Sequence, residues 1–294
     1  VVSLGSCFAV NIAVKFEYFK FQITANPVGI LFHPLALEKA MLFATEGRKF
    51  NDSNIIFHNE RWHCLDAHSE LSHPEKEVLI ERLNSAAELT RTQLKDCSHL
   101  IITLGTAWVY NEISSGEIVA NCHKLPQNLF KKELLSVNAI LQSLKNIIHI
   151  AKELNGNVVI LFTISPVRHI KDGFVENQWS KSNLISALHS TLSQHPEVSY
   201  FPSYEIVMDE LRDYRFYADD MLHPNSVAID YIWKRFSETW ISETVSPTLK
   251  EVDSIQKALA HKPFNSESVK HRQFVNDIEV RISVLQKEYP HISF

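Results

Sequence analysis

An α/β fold with a mainly parallel sheet is the architecture this sequence predicts, and three observations point to it. Short, nearly unbroken apolar runs recur, as in Leu100-Ile101-Ile102-Thr103-Leu104 and Val158-Val159-Ile160-Leu161-Phe162. Strands covered on both faces read this way. Longer stretches with apolar residues at helical spacing separate the runs. Strand and helix alternate from the first residue onward, the order that crossover connections of a parallel sheet require.

Taken in order, residues 1–4 form the first expected strand and residues 8–19 the helix behind it. A strand over 21–24 and a helix over 35–46 follow. Residues 55–65 alternate apolar and polar side chains, the mark of a hairpin laid over the core. A helix over 75–95 leads to a strand at 99–104. Residues 109–119, split by Ser114-Ser115-Gly116, read as a second hairpin. Next come a helix over 129–154, a strand over 158–164, a helix over 181–194 and a strand over 198–201. The amphipathic stretch 226–240 carries Trp233 and Trp240 on one face, where they read as core. Residues 244–247 read as a linker, followed by polar helices around 249–260 and 266–289. The expected organisation is a main domain over 1–242 and a C-terminal helical extension over 243–294 packed on it.

Bulk properties narrow the function classes. A chain of 294 residues with 45% hydrophobic and 21% charged residues suits a soluble globular protein with a sizeable core. The net charge of −5 and the absence of a basic stripe argue against nucleic acid, since the longest lysine cluster is Lys131-Lys132. No apolar run is long enough for a membrane span. Cys7, Cys64, Cys97 and Cys122 show no paired spacing and read as reduced thiols, which points to a cytoplasmic protein. The chain opens inside an apparent strand and without methionine, so the lack of a signal peptide carries no weight.

The residues with chemistry sit at expected strand ends. Gly5-Ser6-Cys7 lies where the first strand turns into a helix, and the helix N-terminus should lower the thiol pKa of Cys7. Leu104-Gly105-Thr106-Ala107-Trp108 and Ser165-Pro166-Val167-Arg168-His169 follow two further strands. In parallel sheets ligands bind at such carboxyl ends. A fourth segment, Asp220-Met221-Leu222-His223, has the spacing of a base and its orienter. Asp220 accepts the Nδ1 proton of His223 in this reading, and Nε2 takes a proton from a nucleophile. Asp219 is one residue too far for the same role. The competing reading has Asp220 and His223 cap the helix after Pro224, and Cys7 pack as a small hydrophobe.

These segments resemble the GSCFA family, which belongs to the SGNH (GDSL-like) hydrolase superfamily. Gly5-Ser6-Cys7-Phe8-Ala9 spells the family name, and five further motifs follow it: Asn26-Pro27-Val28-Gly29-Ile30, Leu104-Gly105-Thr106, Asn121-Cys122-His123-Lys124, Ser165 to His169, and Asp220 to Pro224. The resemblance runs from Val1 to about Ser242, and the tail fits more loosely. It implies a flavodoxin-like three-layer α/β/α sandwich. It also implies a nucleophile at Cys7, where the superfamily has serine, with Ser6 in place of the aspartate. Gly29 resembles the second-block glycine whose N–H holds an oxyanion. Gly105-Thr106-Ala107-Trp108 resembles the third block, with Ala107 in place of the oxyanion asparagine; losing one such donor typically costs about 10²–10³ in turnover.

The sequence therefore points to an esterase or acyltransferase acting on an O-acylated, carbohydrate-type substrate through Cys7, His223 and Asp220, with no cofactor. Ser6 is the rival nucleophile, or else a helix cap or an oxyanion or binding residue that donates a hydrogen bond into the site. Gly29, Gly105, Thr106, Asn121 and His123 are the expected oxyanion or binding residues, the last two carried on a hairpin folding over the site. Trp108 is expected to wall the pocket. Arg168 and His169 are expected to line it, with Arg168 holding an anion or pairing with a nearby acid. Cys122-His123 has no partner pair at useful spacing for zinc. Two other readings remain: a non-catalytic glycan- or acyl-binding assembly protein that keeps the pocket, and a thioesterase.

Overall fold

The first strand, β1 (Val2–Gly5), is buried along its whole length and runs into α1 (Cys7–Tyr18). The computed structural model describes every residue from Val1 to Phe294. After α1 come β2 (Thr24–Ala25), α2 (Pro34–Thr45), the hairpin β3 (Ile56–His58) and β4 (Arg61–His63), and α3 (Lys76–Asp96). The chain continues through β5 (His99–Leu104), β6 (Trp108–Glu112), β7 (Ile118–Val119), β8 (Phe130–Leu134) and α4 (Val137–Leu154). Then follow β9 (Val159–Ile164), α5 (Phe174–Leu192), β10 (Val198–Phe201) and a short α6 (Ser203–Glu205) that continues as a π-helical turn. The last helices are α7 (Ser226–Trp240), α8 (Ser246–Leu259) and α9 (Val269–Glu288).

The central sheet has five strands in the order β10-β9-β5-β1-β2, all parallel. Counted in chain order along the sheet this is 2-1-3-4-5, the flavodoxin-like arrangement. Right-handed crossovers put the β1-to-β2 connection on one face and the β5-to-β9-to-β10 connections on the other. On the latter face α4 packs against α2 and α5. Its buried residues Ile140, Leu144, Ile147 and Ala151 recur at helical spacing, so one stripe faces the sheet. β5 and β9 are buried except at their first residues, His99 and Val159, as two covered faces require.

Two small antiparallel sheets interrupt the alternation. β3 and β4 form the expected hairpin, and β6 pairs with both β7 and β8. Residues 130–134 were expected to open a helix; they form β8 instead. Antiparallel pairing of Phe130–Leu134 with β6 makes the segment a strand, and the Ser136 hydroxyl accepts the Ala139 N–H at 3.2 Å to start α4 two residues later. The strand expected over 21–24 shrinks to Thr24–Ala25. Helix α5 begins at Phe174, well before the expected residue 181. The stretch read as a linker is a 3-10 turn, Glu243–Val245, running into α8, where Pro247 suits the first helical turn.

The chain divides into two compact units, one made of 1–11 and 24–232, the other of 12–23 and 233–294. The first holds the sheets and the main core, which includes Leu100, Ile102, Leu144, Ile160 and Phe162. The second has its own small core, with Val252, Ile255, Ile278 and Leu285 buried. Within it Phe19 stacks on Trp233 at 5.4 Å between ring centroids, and Arg281 grips Glu251 through two hydrogen bonds of 2.7 and 2.9 Å.

Candidate active site

Three strands of the first unit end at one level. Gly5 pairs with Thr103, and Leu104 with Ile164, so Ser6-Cys7, Gly105-Thr106 and Ser165-Pro166 leave the sheet as neighbours. β1 and β5 flank the point where connections diverge to opposite faces, the usual ligand crevice of such sheets. Only glycine fits at residue 5. Its φ is +137°, and a Cβ there would lie 2.1 Å from the Thr103 carbonyl oxygen. The Ser6 N–H donates to that same oxygen at 3.1 Å, which sets Cys7 at the first position of α1.

The structure brings Cys7, His223 and Asp220 together across 216 residues of chain. Sγ of Cys7 lies 3.7 Å from Nε2 of His223. The other ring nitrogen, Nδ1, lies 2.6 Å from Oδ2 of Asp220. Oδ1 of Asp220 accepts the N–H groups of Leu222 at 2.8 Å and His223 at 3.0 Å. Those bonds hold the carboxylate charged: the His223 amide first, then the Leu222 amide and the His223 side chain, push its pKa down to about 2. Met221 takes a left-handed φ of 59°, and the Ala218 N–H closes the loop on the His223 carbonyl at 2.7 Å. Asp220 and His223 do not cap the following helix. Asn225 does, its Oδ1 accepting the Ala228 N–H at 3.1 Å.

The sulfur is electrostatically mixed, and here the expectation of a lowered thiol pKa is corrected. Burial raises the Cys7 pKa and is the largest influence on it. The amides of Cys7 and Phe8, at the open end of α1, and the Lys181 ammonium pull in the opposite direction without overcoming it. Lys181 is the site residue that sequence reading missed. Its side chain is buried to 1% exposure, and Nζ donates to the carbonyls of Gly105 and Ser165, each at 2.7 Å. Burial lowers its pKa to about 7, while the nearby Cys7 thiolate favours its charged form. Lys181 bridges the ends of β5 and β9, near enough to Cys7 for the charge of each to act on the other.

The remaining expected residues take other places. Ser6 is 0% exposed, and its hydroxyl is sealed among the strand ends with no partner. The Gly29 N–H, expected at the oxyanion, instead closes a turn on the Asn26 carbonyl at 2.8 Å. The amides of Gly105 and Thr106 both donate to the Phe32 carbonyl, at 2.8 and 3.0 Å. The Thr106 hydroxyl accepts the Trp108 N–H and meets the Ser180 hydroxyl at 3.0 Å, while Ser180 also accepts the Ala107 N–H at 2.7 Å. The third block is thus closed by α5, with its amides engaged. The Trp108 indole donates to the Glu176 carbonyl at 3.1 Å.

Asn121 and His123 belong to a separate cavity whose lining includes neither Cys7 nor His223. The His123 Nε2–H donates to the Cys64 carbonyl at 2.7 Å. Arg168 pairs with no acid: its guanidinium lies 4.2 Å from the Tyr217 ring centroid and 5.4 Å from that of Tyr214. The Arg168 backbone N–H donates to the Leu222 carbonyl at 3.2 Å, so this residue braces the loop that carries His223. His169 lies against the Phe32 ring, close enough to Lys181 and His223 that their charges add to burial in lowering its pKa to about 3.

A family model described as the GSCFA family matches residues 1–236, and one described as the GSCFA domain protein, C-terminal domain, matches residues 252–294. No curated protein matches the chain.

Proposed function

We propose, on the premise that the chain belongs to the GSCFA family, that it transfers or hydrolyses an O-linked acyl group through Cys7, His223 and Asp220. The observation that carries this reading is the relay from Sγ through the His223 ring to the Asp220 carboxylate, at 3.7 and 2.6 Å. The likeness to SGNH hydrolases belongs to the same proposal. It is supported by the 2-1-3-4-5 strand order, the site at the β1–β5 divergence and the Asp-x-x-His spacing.

The chemistry follows from the geometry. Asp220 accepts the Nδ1 proton of His223 and fixes the tautomer, leaving Nε2 free. With its pKa raised, Cys7 rests as the thiol and passes its proton to Nε2 as Sγ attacks the acyl carbonyl. The carbonyl oxygen takes up the negative charge, and the first-turn amides of Cys7 and Phe8, which face the sulfur, are the donors available to it. When the intermediate collapses, Nε2–H protonates the departing alkoxide and a thioester remains on Cys7. Water or an acceptor alcohol, deprotonated by His223, then takes the acyl group and frees the sulfur. Ser6 does not serve as nucleophile in this scheme, because its hydroxyl faces no base.

Hydrolysis of a chromogenic acetyl ester tests the reading. Cys7→Ala and His223→Ala should each lower turnover at least about 10³-fold, while Ser6→Ala keeps most of it. Activity that survives Cys7→Ala, or inertness towards a panel of esters and thioesters, contradicts it.

A further inference from the structure

The cavity that takes Asn121 and His123 away from the sulfur is itself built for a ligand. It has a volume of about 410 Å³, within the range of small-molecule sites, and it lies wholly in the first unit. Arg61 and Lys124 stand at its exposed rim, and no carboxylate lines it. One guanidinium nitrogen of Arg61 is fixed on the Ser72 carbonyl, which leaves the rest of the fork open. The Lys124 ammonium has no acid partner. Two cations without a counter-charge around a concave site favour an anion.

The floor adds a second demand. His63 and His123 are buried to 8% and 6% exposure, with ring centroids 4.7 Å apart. His63 is saturated, its Nε2–H donating to the His58 carbonyl at 3.1 Å and its Nδ1 accepting the Ser72 hydroxyl at 2.7 Å. His123 is not. With Nε2–H committed to the Cys64 carbonyl, its Nδ1 is a bare acceptor, and no group in the protein reaches it. Burial keeps that ring neutral, with a pKa lowered to about 4. An unfilled buried acceptor needs a donor from outside the chain.

The backbone around the cavity is strained in a way that serves these side chains. Asn59 and Glu60 have φ of 47° and 59°, and His123 and Lys124 have 45° and 60°. The second pair forms a turn closed by the Leu125 N–H on the Cys122 carbonyl at 2.9 Å. Turns with two left-handed residues usually take Asn-Gly. His-Lys there is unfavourable locally, and such strain is typically kept where a site needs the side chains.

We propose that this cavity binds a small hydroxylated anion of the sugar-phosphate or sugar-acid class, held by Arg61 and Lys124 and donating one hydroxyl to His123 Nδ1. This site goes beyond the thiol chemistry and stands without it. Calorimetric titration of the full chain with glucose 6-phosphate and, separately, glucuronate tests it and distinguishes the two sources of the anion. Binding of at least one of them in a single-site isotherm is expected. Arg61→Gln and Lys124→Gln should each weaken it about tenfold or more, while Cys7→Ala leaves it unchanged. Glucose and inorganic phosphate, each carrying half of the recognised chemistry, should bind at least about tenfold more weakly. The proposal is overturned if neither anion binds at millimolar concentration, if the double rim variant binds as well as the parent, or if glucose or inorganic phosphate binds equally well. Lys124 is exposed, so Lys124→Gln should melt as the parent does and its loss of binding reports on the site, whereas Arg61→Gln also gives up the bond to the Ser72 carbonyl.

Discussion

At the scale of single residues, the site sets a half-buried thiol between two opposing influences. Burial holds the proton on Cys7, whereas the helix-end amides and the Lys181 ammonium favour its departure. Lys181 is then a positioning residue for charge rather than a group that touches substrate. Its replacement by methionine, close in volume, should leave the fold intact but move the Cys7 pKa further up. Iodoacetamide alkylation is expected to slow at pH 6, where Lys181 carries its charge in the parent, and to match the parent above pH 8, where Lys181 is mostly neutral. An unchanged rate at pH 6 in a folded Lys181→Met variant contradicts that role. The pairing of Asp220 with His223 was legible in the sequence because it depends on residue type and short spacing, whereas the approach of Cys7, 216 residues away, was implied by the family resemblance. Lys181 was not legible, because a lysine in a helical pattern reads as solvated. Only α5 starting at Phe174, and so carrying Ser180 and Lys181 in its buried middle, turns that side chain inward. Phe174, Val175 and Trp179 lie exposed on the same helix, so the apolar periodicity that finds helix faces points outward there.

Among elements, those with strong apolar runs were legible, and those built from mixed side chains were not. The strands at 99–104 and 198–201 and the helix at 226–240 fall where the sequence puts them. β8 was hidden because Lys131, Lys132 and Glu133 suit a helix surface as well as an edge strand; its pairing with β6 decides the matter. The hairpin residues Asn121 and His123 were expected over the sulfur on residue type alone, and that reading lacked the long-range contacts that place them beside β4. Helix α2 illustrates a contact of this kind. His33 accepts the Ala36 N–H through Nδ1 at 3.1 Å as its N-cap, and its Nε2–H donates to the Val119 carbonyl at 3.1 Å. One buried ring therefore caps α2 and ties it to β7. His33→Asn keeps a capping oxygen and loses the tie, so a cost of about 1 kcal/mol is expected. His33→Ala loses both and should cost about 2–3 kcal/mol. Chemical denaturation measures the difference, and equal stability of the two variants contradicts the double role.

For the whole molecule, the parallel sheet does two things: it buries the core and it brings three strand ends to one level beneath the site. The same burial makes the fold acid-sensitive. His33 and His123 have pKa values lowered to about 4, and His169 to about 3, against an ordinary value of 6.5. Between those limits the unfolded chain binds protons that the native protein does not, so stability is fully present above pH 6.5 and falls as pH drops towards 4. Melting temperature measured from pH 7 to pH 4 should decline steadily, and a flat profile contradicts the buried neutral rings. The central claim, that Cys7 is the acyl-carrying nucleophile, has a more direct test. Intact protein is mixed with an activated acetyl ester, quenched in acid and digested for mass spectrometry. The account predicts one acetyl group on the peptide carrying Cys7, released by hydroxylamine as a thioester is and absent from Cys7→Ala. An acetyl group on Ser6, or no covalent intermediate while ester is being turned over, would contradict it.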